Sequence, residues 1–196
     1  MAKNQRSTHI GRALQRIREE HGWTLSEVSE RTGVATSTLA GIENNQTLLK
    51  VDVLCRLHDG LGVEFGELFQ GRRFSRLGPG SRTVNREGGG IRHETSLGEY
   101  QLLSGELSKK AFQPMLVRVP KGEQEPILNS HAGEEFLYVV RGALRFYMEP
   151  YSGILLETGE SVHFDATMPH GVTAAGEEDA LFLALCQSAN SSDGDA

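Results

Sequence analysis

Two histidines and a carboxylate stand at spacings that suit a metal ion. Asn129, His131 and Glu135 are separated by two and four residues, so in an extended chain their side chains share one face. His170 follows Pro169 at the start of a later apolar run. If that run lies alongside the first, two imidazoles and one carboxylate converge, with Asn129 as a weak neutral neighbour. Such a set suits Fe(II) and tolerates Zn, Ni or Mn. The expected cofactor is therefore a divalent metal, although the same residues could line a pocket that holds none. His163 falls out of register with this face and is expected to be exposed; His93, near the first strands, is expected at the surface.

A second cluster is made of short hydrogen-bonding side chains. Thr24, Thr36, Ser37, Thr38 and Asn44 flank or occupy the stretch Leu25 to Asn44. Within it Val28, Val34, Leu39 and Ile42 fall where two short, steeply crossing helices need apolar contacts, Ser29 is small, and Gly33 sits at the turn. Together these features predict a helix-turn-helix unit able to contact double-stranded DNA.

The elements that must position both clusters have different periods. Ile10, Leu14, Ile17 and His21 recur at helical spacing, Thr24 and Glu27 form a capping box, and Val51, Leu54, Leu57 and Leu61 stripe a further helix. Phe65, Leu68 and Phe69 stripe a last short one, giving a five-helix bundle over residues 9–70. A basic Gly/Pro-containing linker, 71–80, leads to short alternating apolar runs over 81–187, the pattern of an antiparallel sandwich or barrel. The polar ends, 1–8 and 188–196, are expected to be disordered. The predicted fold class is thus two-domain, all-α followed by all-β.

Net charge separates the same halves. The chain carries −6 overall, but residues 1–73 hold 10 Lys/Arg against 9 Asp/Glu and the remainder 10 against 17. A near-neutral helical half and an acidic β half point to different partners. Cys55 and Cys186 are too few for a disulfide framework or a cysteine zinc cluster, which favours a cytoplasmic location. Apolar runs too short to span a bilayer, and no leader pattern, give an expectation of no membrane partner.

With these residues in place, the helical half resembles the bacterial xenobiotic-response-element-type (phage-repressor-like) helix-turn-helix regulators over His9 to Phe69. That resemblance implies that the third helix enters the major groove, with Thr36, Ser37 and Gly41 at base-facing positions, where Gly41 removes a third base contact, Thr38 among the DNA-binding residues, and Thr24 and Asn44 on phosphates. It also implies a structural ion pair between Arg18 and Glu43. Leu25 departs from a common phosphate-binding Gln and Ala35 from the Ser that caps the recognition helix. With no Lys or Arg in Thr36 to Asn44, affinity must come from Lys3, Arg6, Arg12, Arg16, Arg31 and Lys50, and from dimerisation.

The β half is similar to the cupins over Pro114 to Gln187, through the Asn129…His131…Glu135…Gly142 and Gly159…Pro169-His170 segments. Cupin membership implies a jelly-roll barrel, a metal held by His131, Glu135 and His170, and an effector pocket to which Arg92, Tyr100, Arg118 and Asn129 could contribute. Strand Glu135 to Arg141 is apolar on both faces and needs two covers, one of which a homodimer would supply.

The combination predicts a transcriptional regulator that binds an inverted-repeat operator as a homodimer and senses a small-molecule effector. Control is expected to pass through the dimer, the acidic cupin being kept off the duplex. The alternative is a mononuclear iron cupin oxygenase resembling the epoxidases of fosfomycin biosynthesis, which share the His-x3-Glu…Pro-His pattern. Against it, Leu102 stands where alternation after Tyr100 would place a second tyrosine, and the turn His21-Gly22-Trp23 has no lysine.

Overall fold

The computed structural model describes residues 8–47, 51–63, 65–70, 75–76, 78–95, 97–108, 110–122 and 125–187. Five helices come first: α1 (Thr8–Glu20), α2 (Leu25–Thr32), α3 (Thr36–Glu43), α4 (Val51–Leu61) and α5 (Phe65–Gln70). Strands follow: β1 (Ser75–Arg76), β2 (Ile91–Glu94), β3 (Glu99–Leu102), β4 (Leu107–Ser108), β5 (Phe112–Val119), β6 (Glu134–Arg141), β7 (Ala143–Met148), β8 (Tyr151–Glu157), β9 (Ser161–Asp165), β10 (His170–Ala174) and β11 (Ala180–Gln187). The tails at 1–7 and 188–196, with Lys3 and Arg6, lie outside the described residues, as do Lys50 and residues 71–74 and 77 of the connector. Thr8, assigned to the tail by its polarity, opens α1.

Local chemistry sets the helix boundaries. The Thr24 hydroxyl accepts from the Glu27 amide at 3.2 Å while the Thr24 amide donates to the Glu27 carboxylate at 2.7 Å, which starts α2. Gly33 ends it with φ 66°, a left-handed conformation that favours glycine, and its amide donates to the Ser29 carbonyl. Ala35 gives α3 no side-chain cap. Ile10, Leu14, Ile17, Val28, Val34, Leu39 and Ile42 form the buried helical core. His21 does not join them: it is exposed and stacks on Trp23, ring centroids 4.4 Å apart.

The β half is built from a six-stranded sheet, order β2-β3-β5-β11-β6-β9, and a three-stranded sheet, order β10-β7-β8, each antiparallel throughout. A short parallel pair, β1 with β4, departs from the all-antiparallel expectation and draws two residues of the connector into a sheet. Alternation decides which side chains enter the core. Along β11, Ala180, Phe182, Ala184 and Cys186 are buried while Leu181, Leu183 and Leu185 between them are only half-buried. Phe146 of the smaller sheet meets Phe164 of the larger at 4.8 Å between ring centroids, so the two sheets pack face to face.

Candidate functional site

His131 lies just before β6, Glu135 within it and His170 at the start of β10, and backbone pairing fixes all three. Asn129 and His170 exchange both amide-to-carbonyl bonds at 2.8 Å, so the segment before β6 is tied to β10. The His131 amide donates to Ala166 O at 2.9 Å, and the Ala166 amide returns a bond to Gly133 O at 3.0 Å. These pairings bring together side chains that are 35 residues or more apart in the chain. Glu135 Oε2 lies 3.3 Å from His131 Nε2 and 3.3 Å from His170 Nε2.

The far nitrogens are also engaged. His170 Nδ1 is 2.8 Å from Met168 O and His131 Nδ1 is 3.2 Å from Ala132 O. A carbonyl can only accept, so each Nδ1 carries the proton and donates it. For a neutral ring that leaves the Nε2 lone pair aimed at Glu135, the orientation a metal requires. Two lone pairs and a carboxylate cannot face one another in a dry pocket without a cation between them, a proton or a metal ion. The donor set therefore fits a divalent metal. On the other side of the carboxylate, the Cys186 thiol donates to Glu135 Oε1 at 3.3 Å. Ligating atoms of His131, Glu135 and Cys186 all lie within 4.8 Å of one another.

Charge follows the geometry. Burial opposes ionisation of Glu135, but hydrogen bonds from His131 and His170 outweigh it and hold the carboxyl down at about 2. Burial likewise opposes a charge on His131, and the Glu135 carboxylate overcomes it, raising the imidazole above its ordinary value. Burial, reinforced by Glu135, pushes the Cys186 thiol well up, so it stays a neutral donor rather than a thiolate. The Tyr100 phenol is pushed up in the same way, first by burial and then by Glu135.

A cavity of about 60 Å³ opens beside this cluster. Its walls are largely apolar, with Leu97, Met115, Val117 and Phe182 among them, and among the described residues no Lys or Arg lines it. Leu54 and Cys55 of α4 close one side.

The helical half presents a second candidate surface. Thr36 and Ser37 are exposed at the start of α3 and Thr38 is half-buried, while Leu39 and Ile42 anchor the helix beneath. Glu43 locks its end: Arg18 Nε donates to Glu43 Oε1 at 2.8 Å and Nη2 to Oε2 at 3.0 Å, and Nη1 donates to Trp23 O at 3.2 Å. That hydrogen bonding with Glu43 raises the Arg18 pKa. The pair is mostly shielded from water, so Glu43→Ala should lower stability by about 1–3 kcal/mol, the range for hydrogen bonds to charged groups. Urea denaturation of both proteins measures this, and a loss under 0.5 kcal/mol would show the pair to be dispensable.

Comparison with known proteins separates the same two parts. Residues 14–68 match the family model described as Helix-turn-helix, and residues 115–186 match the Cupin domain model. The chain is a helix-turn-helix protein with a C-terminal cupin domain. A curated relative, the HTH-type transcriptional regulator SutR of Escherichia coli (strain K12), is 36% identical over 56 residues, which are 29% of this chain and 32% of the relative. The match thus spans about a third of that protein. Among solved structures, a helix-turn-helix family transcriptional regulator from Vibrio cholerae superposes with TM-score 0.66 at 19% identity, covering 93% of this chain and 96% of that one. Hydroxypropylphosphonic acid epoxidase from S. wedmorenis, in complex with fosfomycin, gives TM-score 0.49 at 25% identity, covering 93% and 99%.

In the cupin domain, His131, Glu135 and His170 meet, and Tyr100 and Asn129 line the cavity beside them. Arg92 and Arg118 lie elsewhere: both are exposed, with Arg92 2.9 Å and Arg118 3.8 Å from Glu99. They occupy outward positions of β2 and β5, where alternation aims them away from the interior. His163 is exposed and faces Glu134 at 3.1 Å. His93 is buried rather than superficial, and burial lowers its pKa to about 4. In the helix-turn-helix domain, Thr24 and Asn44 are exposed. Gly41 is buried against the loop after α3, where a Cβ would meet Thr47 Oγ1 at 2.5 Å, so it faces the protein and not a base. Sequence reasoning missed Cys186 as a partner of Glu135, although its place in the alternation of β11 was legible. It missed the contribution of α4 entirely, and no local signal announces that.

Proposed function

We propose that this chain is a sequence-specific transcriptional regulator whose cupin domain senses a small-molecule effector through a divalent metal held by His131, Glu135 and His170. The observation that carries this reading is the start of α3: Thr36 and Ser37 are offered to solvent by a helix whose other end is clamped by Arg18 and Glu43. In the major groove these hydroxyls would read base edges, Thr38 would assist them, and Thr24 and Asn44 would hold phosphates. Gly41 acts as spacing rather than readout. With no basic residue on α3, Arg12 and Arg31, both exposed, supply phosphate contacts.

Domain limits of 9–70 and 81–187, a linker at 71–80, a closed jelly-roll barrel and a cytoplasmic location belong to the same reading. So does a homodimer. The outer face of the larger sheet sets Phe136 beside Leu185 and Tyr138 beside Leu183, with Val140 further along β6, an apolar surface suited to a second copy. Two copies would place recognition helices about 34 Å apart on one side of an inverted repeat. Among the described residues no helix is long and apolar enough to cross a membrane.

Genomic-fragment selection on the purified chain, paired with metal analysis, tests the proposal. The expected result is enrichment of a short inverted repeat by protein carrying one divalent ion per chain. Failure to enrich any sequence would overturn it.

The mononuclear iron oxygenase is the second reading, favoured by one observation: two imidazoles and one carboxylate converge, a set that would hold iron with positions left for oxygen and substrate. The cavity wall speaks against a phosphonate substrate, because among the described residues no Lys or Arg lines it to neutralise a dianion. Oxygen uptake by Fe(II)-loaded protein in the presence of a hydroxyalkylphosphonate would reverse the order of the two readings.

A further inference from the structure

Helix α4 belongs to the helix-turn-helix domain yet forms part of the cupin cavity. Leu54 and Cys55 are 1% and 5% exposed and line the space shared with His131, Glu135 and Cys186. One turn further, the Asp59 carboxylate accepts a hydrogen bond from the Ala132 amide, next to His131. Cys55 and Asp59 are four residues apart and so share one face of the helix.

The adjacent face grips the DNA-binding unit. Arg56 Nη1 donates to the carbonyl of Gly33, the turn residue between α2 and α3, at 3.3 Å. Gly60, four residues on, packs so closely that a Cβ there would lie 2.4 Å from Arg31 O and 2.8 Å from Thr32 Cα. Backbone approach of that kind leaves no slack, so α4 and the end of α2 must shift together. The helix is a bar with the metal cavity on one side and the α2–α3 turn on the other.

Cavity size then decides what can enter. About 60 Å³ suffices for an ion and a water or two, whereas sites for drug-sized ligands run to roughly 300–1,000 Å³. A larger organic ligand needs a wall to yield, and Leu54 and Cys55 form the wall that belongs to the helical half. We propose that α4 is both wall and gate of the effector site, which takes a compact apolar molecule with a single metal-binding head group. Entry of that ligand displaces α4 and, through Arg56 and Gly60, moves the α2–α3 turn. Largely apolar walls, with no Lys or Arg among the described residues, select this class over dianions and sugars. Control then runs inside one chain instead of through the dimer. Its consequence at DNA rests on the regulator reading, whereas the gate itself does not.

The test uses the full chain and Cys186 as its own reporter. Cys55→Ser and Cys55→Trp both leave Cys186 as the sole thiol; the first conserves volume, while the second cannot be seated in the cavity. Labelling by N-ethylmaleimide, followed by mass spectrometry, should be at least 10-fold faster in Cys55→Trp than in Cys55→Ser. Affinity for genomic fragments selected by the wild type should differ between them by about 5–150-fold, the usual range of intersite coupling. If Cys55→Trp loses cooperative unfolding, Cys55→Ser/Asp59→Ala replaces it: relative to Cys55→Ser it removes the Asp59 carboxylate, with its bond to the Ala132 amide and its attraction to His58 and His131. Equal labelling rates in every variant overturn the gate. Faster labelling with unchanged DNA affinity overturns the coupling. Faster labelling in a protein that binds no DNA supports the gate and removes the regulator reading instead.

Discussion

His131→Ala is expected to abolish stoichiometric uptake of Fe(II) or Zn(II) while leaving a cooperatively unfolding protein. The loss follows from the cluster's economy. Among the described residues two imidazole Nε2 atoms flank Glu135 Oε2, each at 3.3 Å, and Asn129 supplies at most a weak neutral donor. Altering even the groups that orient a metal's ligands typically costs 10–100-fold in affinity, and removing a ligand costs more. The fold should survive because His131 is held by a backbone bond to Ala166 that alanine retains. Equilibrium dialysis with metal analysis gives the answer, and one equivalent of metal on the variant would remove His131 from the site. Uptake by the wild type should also weaken as pH falls. Metal must displace a proton from His131, whose pKa stands above its ordinary 6.5, so affinity rises with pH until that proton is gone. Without metal, the linkage splits by sign. Glu135, held at about 2 against an ordinary 4.5, contributes stability fully present above 4.5 and lost as pH falls toward 2. His131, raised, contributes stability present below 6.5 and lost as pH rises through its folded value. Chemical denaturation of metal-free protein between pH 2 and 8 should show both limbs, and a flat profile below 4.5 would contradict the contacts around Glu135.

Thr36→Ala/Ser37→Ala should weaken operator binding by about 1–3 kcal/mol per lost base contact and relax the preferred sequence, because only base-edge contacts discriminate. Both side chains are exposed, so stability should change by less than about 0.5 kcal/mol. The helix has no Lys or Arg to substitute for the lost hydroxyls. Loss of a phosphate contact at Arg31 should behave differently: uniformly weaker binding across sequences and a shallower salt dependence. Unchanged sequence preference in mobility-shift titrations of the double variant would move base readout away from the start of α3.

Much of this molecule was legible in its chain because the relevant signals are local. The capping box at Thr24 and Glu27, the left-handed Gly33 and the 3.6-residue apolar stripes specify the helices through contacts within a few positions. The spacing of His131 and Glu135 marked both as partners, although His131 lies before β6 and is held there by its bond to Ala166, and Pro169-His170 marked the start of a strand. Where side-chain direction was read without a periodic pattern, the expectation strayed. Gly41 matches a base-facing position of the family, but Thr47 covers it, and Arg92 and Arg118 turn outward to Glu99.

What only the tertiary structure decided is which distant elements touch. The approach of β10 to the segment before β6 turned a spacing into a donor set, and the pairing of β11 with β6 set Cys186 against Glu135, 51 residues away in sequence. The seating of α4 over the cavity is the extreme case. Leu54 reads in the sequence as one more core leucine of a helical bundle, and nothing within a turn or two of it encodes a second domain. Packing across domains depends on the complementary shape of surfaces assembled from many elements, whereas caps, turns and periodicity depend on neighbours along the chain. Sequence alone therefore determined the parts and their chemistry, and the packing determined that the helical half closes the pocket of the β half.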